Sequence, residues 1–411
     1  MLSQPLLNQF FGQDFSPLLS QWLQQGYLDL KVDNIDLTSD RFLNRSIIPH
    51  LFSLSDLFNR IRNPKKPEYG FSSYWSDAKS PAHVRLAYFL GFNPGNAARM
   101  AHVFFELQRL GFIFPEQLKT LDFGAAQGAA SLGLLLFLAL TKKNHPVHLA
   151  LLDQDRTSLK IALDWLQFVA SHLQTPCEIK TFHKQVKLEK SLLPVKAPRF
   201  NLWMMSFVLN ELMDSMKTQA PLQELARTLC HTWDRHLQDD GLVILVEPAL
   251  IEQSRKLYEL RKCLLAHPDF QRDYQVLTPC LGNQACGALD KPDDWCFEEV
   301  SLSRPPYLQR IDELCGLNHA HLSFSYLVIM KSRKSVLEIL PRLQPLRARV
   351  VSTVQKTGPD LQCYLCTQEG KKSCRIAKTK TQMLARGSVV LGAQLRGAPE
   401  ATRVDEVKEV L

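Results

Sequence analysis

From residue 119 onward the chain alternates short apolar runs of β type with longer helical runs, and this alternation restricts the fold more than any other feature. Residues 119–123 (KTLDF) read as a buried strand ending in the glycine-bearing turn GAAQGAA, and SLGLLLFLAL continues as an apolar helix. VHLALLD, ending at Asp153, predicts a second strand, and LKIALDWLQFVASHL the helix after it. CEIKTFH, FNLWMMS and GLVILVE predict three more strands, with a helix from about Pro221 to Gln238 between the last two. Strands and helices in this order imply a doubly wound, mostly parallel α/β sheet. Such a sheet binds ligands at the carboxyl ends of its strands.

The flanks have a different texture. Residues 1–118 read as an N-terminal helical region, with a break at NPKKPEYG and a long helical stretch interrupted at GFNPGN. Residues 119–335 form the core, with a cysteine-bearing, irregular loop over 266–312 and FSYLVIMK as a closing strand. After the linker KSRKS, residues 340–411 show short strands such as ARVVSTV, LQCYLC and GSVVLGA, a small C-terminal β domain.

Charge and cysteine are both concentrated late in the chain. From Lys331 on, 16 Lys plus Arg stand against 7 Asp plus Glu, a balance of +9 in a chain whose net charge is +8. Seven of the ten cysteines follow residue 279. The first forty residues hold one Lys, no Arg and five Asp, unlike a targeting leader, and the strongest apolar run, 129–140, is shorter than the roughly 20 residues a bilayer span needs. The expectation is a cytoplasmic chain, not membrane-bound, with reduced thiols and a monomeric state. In that setting clustered cysteines point to metal or chemistry rather than disulfides.

Three segments carry candidate chemistry. In LDFGAAQGAAS, Gly124 and Gly128 let the chain turn tightly and approach a ligand, while Ala126 stands where a dinucleotide fingerprint wants its middle glycine. The pattern is similar to the adenosylmethionine turn of class I methyltransferases, and Asp153 is placed to accept hydrogen bonds from ribose hydroxyls. Asp122, Gly124, Ala126, Gly128, Asp153 and Ser206 form the expected cofactor set. SFVLNEL (206–212) lacks the D/N-P-P-Y type sequence of base N-methyltransferases, and no Pro-Cys stands on that strand, so no catalytic residue is assigned.

Cys280, Cys286 and Cys296 are spaced C-x5-C-x9-C, and Cys363-x2-Cys366 with Cys374 beyond offers a fourth ligand for zinc or an iron-sulfur cluster. Cys177, Cys230 and Cys263 read as isolated core residues. Basic residues in RLQPLRARV, EGKKSCRIAKTK and TRVDEVK give the β domain the electrostatics of a nucleic-acid binder. Tyr364 is its only aromatic after Tyr326, which favours structured or duplex RNA over a stacked single strand.

Together LDFGAAQGAAS, SFVLNEL, LVILVEP with Arg261 at a fixed distance, the TPC…C…DDWC loop, LSFSYLV and YLCTQEGK resemble the methyltransferase-like small-ribosomal-subunit assembly protein family, known from mitochondria and bacteria. The match covers roughly residues 80–390. It implies a class I, Rossmann-like methyltransferase fold able to hold S-adenosylmethionine, and a 4Fe-4S cluster on Cys280, Cys286, Cys296 and Cys366, with zinc as the alternative. It also implies association with the small ribosomal subunit and its rRNA during assembly. The other reading is an active methyltransferase acting on rRNA or a ribosomal protein. The chain departs from the family at 249–253, where ALIEQ replaces a glycine-bearing segment, and at Leu281 and Phe297, where mitochondrial members often carry histidine.

Overall fold

A computed structural model describes residues 3–25, 32, 34–58, 80–143, 145–184, 192–213, 219–358, 360–377, 384–392, 394–396, 402–406 and 409–411. The chain divides into two compact units. Unit 1 comprises Met1–His102, Asp122–Val186 and Val300–Leu322, and unit 2 comprises Val103–Leu121, Lys187–Glu299 and Ser323–Leu411. Among the described residues no helix is long and apolar enough to cross a membrane.

Unit 1 holds α1 (Ser3–Gln9), α2 (Phe15–Gln24), α3 (Asp40–Phe42), α4 (Ile48–Phe58) and most of α5 (Pro81–Arg109). The aromatic residues of the first helices explain why they fold onto the core. Phe15 and Trp22 meet Trp165, and Trp22 also meets Phe89, at ring separations of 5.1 to 5.9 Å. Each ring removes a large apolar area from water, and their edge contacts add to that gain. Strand β1 (Leu118–Phe123) crosses the division and leads through the glycine turn to α6 (Ala129–Leu140). Next come β2 (Val147–Asp153), α7 (Arg156–His172) and β3 (Cys177–His183), giving the order β3-β2-β1 on this side of the sheet, with β2 and β3 parallel. Helix α6 is apolar all round because it is buried. Gly133 lets it lie against α5: a Cβ there would sit 2.6 Å from the Ala97 carbonyl oxygen.

Helix α5 is continuous through Pro94, where the sequence predicts an interruption. Proline removes the bond that would satisfy the carbonyl four residues back, Leu90. The Tyr307 hydroxyl, on α12 (Pro306–Cys315), donates to that carbonyl oxygen at 2.9 Å and takes over its role.

In unit 2, β4 (Phe200–Ser206) leads through α8 (Leu209–Met213) and α9 (Gln219–His236) to β5 (Leu237–Pro248), and α10 (Ile251–Ala266) and α11 (Pro268–Asp273) follow. The stretch expected to be an irregular loop contains β6 (Tyr274–Thr278) and β7 (Glu298–Ser301), both paired with β8 (His321–Lys331). The order on this side is β1-β4-β5-β8-β6, with β4 and β5 parallel and β8 antiparallel to both β5 and β6. Asn201 fixes the register of β4 against the start of β1, accepting from Lys119 N at 2.8 Å and donating to Gln117 O at 2.7 Å.

After α13 (Val336–Ile339) a second sheet begins with β9 (Arg347–Val350), β10 (Gln355–Thr357), β11 (Asp360–Thr367) and β12 (Gly370–Ala377). It is completed by β13 (Val389–Leu391), β14 (Gln394–Arg396), β15 (Thr402–Glu406) and β16 (Glu409–Val410), in the order β14-β15-β12-β11-β9-β13-β16. Its core includes Ala348, Val350, Leu365, Ile376 and the facing pair Cys363 and Cys374.

Replacing Tyr307 by Phe leaves the Leu90 carbonyl without its donor in a buried site. Denaturant unfolding should show a loss of about 1–3 kcal/mol, and an unchanged midpoint would mean that the hydroxyl does not compensate for Pro94.

Candidate cofactor turn and cysteine nest

The turn after β1 is built on three left-handed residues, Gly124 (φ 72°), Ala126 (φ 43°) and Gly128 (φ 79°). Gly128 is also sterically required, because a Cβ there would lie 2.8 Å from Leu166. Ala126 tolerates its conformation because its N–H donates to Asp153 Oδ2 at 2.8 Å, while Gly124 N and Ala125 N both donate to Leu152 O. Asp153 thus holds the turn, and its other oxygen accepts from Asp155 N at 2.8 Å. Burial raises its pKa above the usual carboxylate range, against these backbone bonds.

Helix α5 braces the turn, which the sequence did not indicate. Asn93 Nδ2 donates to Gln127 O at 2.8 Å, Gln127 Nε2 donates to Arg85 O at 3.0 Å, and Arg85 grips Asp155 with two bonds of 3.0 Å. The buried Asn93 Oδ1 and Gln127 Oε1 have no hydrogen-bond partner among the described residues. Asp122, 1% exposed, turns to the start of α6, accepting from Ser131 Oγ at 2.7 Å and Ser131 N at 3.1 Å. Burial pushes its pKa up to about 6 despite these bonds.

In unit 2, Ser206 ends β4 with a buried hydroxyl that has no partner among the described residues. The segment after it is shaped by Glu247 at the end of β5, a residue the sequence reading left without a role. Glu247 is fully buried and accepts from Leu209 N at 2.9 Å and Asn210 N at 3.1 Å. Burial raises its pKa to about 8, the backbone donors opposing the shift only in part.

The four cysteines expected as ligands line one small pocket, together with Tyr258, Pro279, Ala288, Arg349 and Lys371. Cys280, Cys286 and Cys296 come from the segment between β6 and β7, and Cys366 from β11. Backbone carbonyls of that segment are held by cations. Arg261, buried on α10, donates to Gly282 O (3.0 Å) and Gln284 O (2.7 Å), and Arg255 donates to Ala288 O, Lys291 O and Asp294 O. Ser325 Oγ donates to Cys296 O at 2.9 Å, and Lys371 Nζ lies 2.6 Å from both oxygens of Asp294. Gly287 brings the segment onto β12, since a Cβ there would be 2.5 Å from Lys371 N. Phe297 stacks on Trp295 and lies under the Arg386 guanidinium, 4.1 Å away.

Burial, with the neighbouring thiols adding to it, pushes Cys286 up to about 11 and Cys366 up to about 12, and raises Cys296 as well. Without a metal these thiols stay neutral. Among the described residues no three of the four sulfurs fall within 4.8 Å of one another. Cys363 and Cys374 are buried in the β-sheet core, Cys230 is buried, and Cys177 and Cys263 are half-buried.

The basic surface is smaller than the residue count implies. Arg349 is 2% exposed and bound to carboxylates, and Arg347 turns inward to donate to Leu281 O at 3.0 Å. Tyr364, 46% exposed, has Lys371 Nζ 5.1 Å from its ring centre, and Arg375 is exposed on the adjoining strand.

The strand order with its antiparallel β8, and a glycine turn leading from the first strand into the next helix, define a class I S-adenosylmethionine-dependent methyltransferase fold with a separate antiparallel β sheet appended. A family model described as "Mitochondrial small ribosomal subunit Rsm22" matches residues 115–395, and the chain belongs to that family. Among solved structures it is similar to the plantazolicin methyltransferase BpumL in complex with SAH (11% identity, 68% of this chain and 100% of that one, TM-score 0.36). It is also similar to a precorrin-6y C5,15-methyltransferase from Geobacter metallireducens (13% identity, 57% and 88%, TM-score 0.32). No curated protein matches the sequence.

Glu247 predicts a pH signature. Its pKa is higher folded than unfolded, so the folded state binds the extra proton and stability falls as pH rises from the ordinary carboxylate range through about 8. Glu247→Gln should flatten the melting temperature across that window, and a slope identical to wild type would exclude Glu247 as its source.

Proposed function

We propose that this protein is a small-ribosomal-subunit-associated, methyltransferase-like factor of the cytoplasm that binds rRNA during ribosome assembly as a monomer, holding S-adenosylmethionine and a 4Fe-4S cluster. The observation that carries the reading is the convergence of Cys280, Cys286, Cys296 and Cys366 on one small pocket. The donor set fits a cluster. Tetrahedral zinc, with Zn–S near 2.3 Å, would bring its sulfurs to about 3.8 Å from one another. A cubane cluster is wider and takes four thiolates. Arg349 and Lys371 line the pocket wall, Arg349 paired with Glu106 and Glu298 and Lys371 with Asp294.

The cluster serves as a cross-link. Three ligands sit beside the core strands of unit 2 and the fourth on β11, so a bound cluster ties the second sheet to those strands. Rigid presentation of Arg375 and Tyr364 is what an RNA-contacting sheet requires, with phosphate contacts supplying affinity.

Residues present at the turn also suit S-adenosylmethionine, which supplies an activated methyl group. The left-handed turn leaves Gly124 and Ala126 half-buried, and the buried Asn93 Oδ1 and Gln127 Oε1 beside it have no hydrogen-bond partner among the described residues. Asp153 keeps the turn in shape and retains free lone pairs for ribose hydroxyls.

Two measurements test the proposal. Calorimetric titration of cluster-loaded protein with S-adenosylmethionine should show binding that Gly128→Val abolishes, and no heat in the wild type would remove the cofactor from the account. Serine at any one of the four cysteines should weaken rRNA binding at least several-fold while leaving that titration intact. Unchanged RNA affinity would remove the cross-link. A methyl group missing from small subunits of a deletion strain would favour the enzyme reading over the scaffold.

A further inference from the structure

Arg349 occupies a position that nothing in the sequence singles out. It lies on β9 directly opposite Cys366 of β11, and residues opposite one another in an antiparallel pair share a face of the sheet. Its guanidinium grips Glu106 of α5 with two bonds of 2.6 Å. The same fork donates to Glu298 Oε2 at 3.0 Å, Tyr326 Oη at 3.0 Å and Thr278 Oγ1 at 3.3 Å. Thr278, which also bonds Glu106, stands two residues before Cys280, and Glu298 two residues after Cys296. One cation therefore touches both ends of the cysteine segment, faces the strand of the fourth cysteine and lines the pocket itself.

The burial of this group makes the arrangement costly unless it is complete. Glu106, Glu298 and Arg349 are each less than 5% exposed, and a buried ion pair that loses one partner leaves an uncompensated charge. Two carboxylates share the Arg349 guanidinium, Arg109 lies 3.8 Å from Glu106 as a second cation, and Arg349 stands on the side of the thiols. A planar fork with five donors can satisfy Glu106, Glu298, Tyr326 and Thr278 together, and an ammonium cannot.

We propose that Arg349, held by Glu106 and Glu298, is the positioning residue of the cysteine nest: it fixes the separation of the four thiols and sets the electrostatic potential at whatever cluster they carry. This rests on the cluster reading given above. Arg349 is no ligand. It acts on the metal through placement of the ligands and through its charge, two of the levers by which a protein tunes an iron-sulfur centre.

Reduction potentials of the full-length, cluster-loaded protein separate this role from simple structural support. Arg349→Met removes a positive charge near the cluster and should move the potential to more negative values. Glu106→Gln breaks the same ion pair but removes a negative charge, and should move it to more positive values. A merely structural pair would give shifts of one sign, or none, from both substitutions, and either result overturns the inference. Should Arg349→Met fail to fold, Arg349→Lys keeps the charge and loses the fork. It should leave the potential near that of the wild type yet release iron to a chelator several-fold faster, and wild-type release kinetics would overturn the positioning role. A wild-type protein that carries no cluster overturns the underlying reading and this inference with it, whereas a loaded wild type with indifferent variants overturns this inference alone.

Discussion

The buried fork of Arg349 on Glu106 and Glu298 is the constraint on which the organisation of unit 2 depends. It joins α5, both ends of the cysteine segment and the second sheet through bonds of 2.6 to 3.3 Å. A charged group removed from water is stable only with partners on every side, so these elements are ordered together or not at all. The cysteine nest is a consequence of that joint. Its backbone carbonyls are capped by Arg255 and Arg261, and burial raises the thiols of Cys286, Cys296 and Cys366 above their ordinary range.

The turn in unit 1 follows a different logic. Here glycines and one strained alanine give the chain its shape, and Asp153, Arg85 and Asn93 keep it. Carboxylates expected to serve a ligand also serve the protein: Asp122 secures the first turn of α6, and Asp153 bonds the backbone of its own turn. A preorganised turn of this kind spends no further ordering entropy when a ligand arrives.

Much of this was legible in the sequence because it depends on local pattern. Alternating runs located the strands from β1 to β5, and the glycines located the turn. Cysteine spacing identified three of the four nest residues, but the choice of Cys366 over Cys363 and Cys374 came from resemblance. Alternation on β11 gives the physical reason for it, since Cys363 points into the sheet core and Cys366 to the other face. What the sequence hid depends on distant partners. Continuity of α5 through Pro94 needs a hydroxyl 217 residues away. Arg349 read as one more surface charge in RLQPLRARV, and only its carboxylates, one of them 243 residues distant, turn it inward. Glu247 similarly shows its role only in the fold, because it caps backbone N–H groups at the start of α8, 37 and 38 residues away.

The central claim is that Cys280, Cys286, Cys296 and Cys366 hold a cubane cluster. Anaerobic purification followed by iron, acid-labile sulfide and zinc analysis tests it most directly. The account predicts a brown protein with about four iron and four sulfide per chain, both lost when any one of the four cysteines is replaced by serine. A colourless protein with one zinc and no sulfide would contradict it.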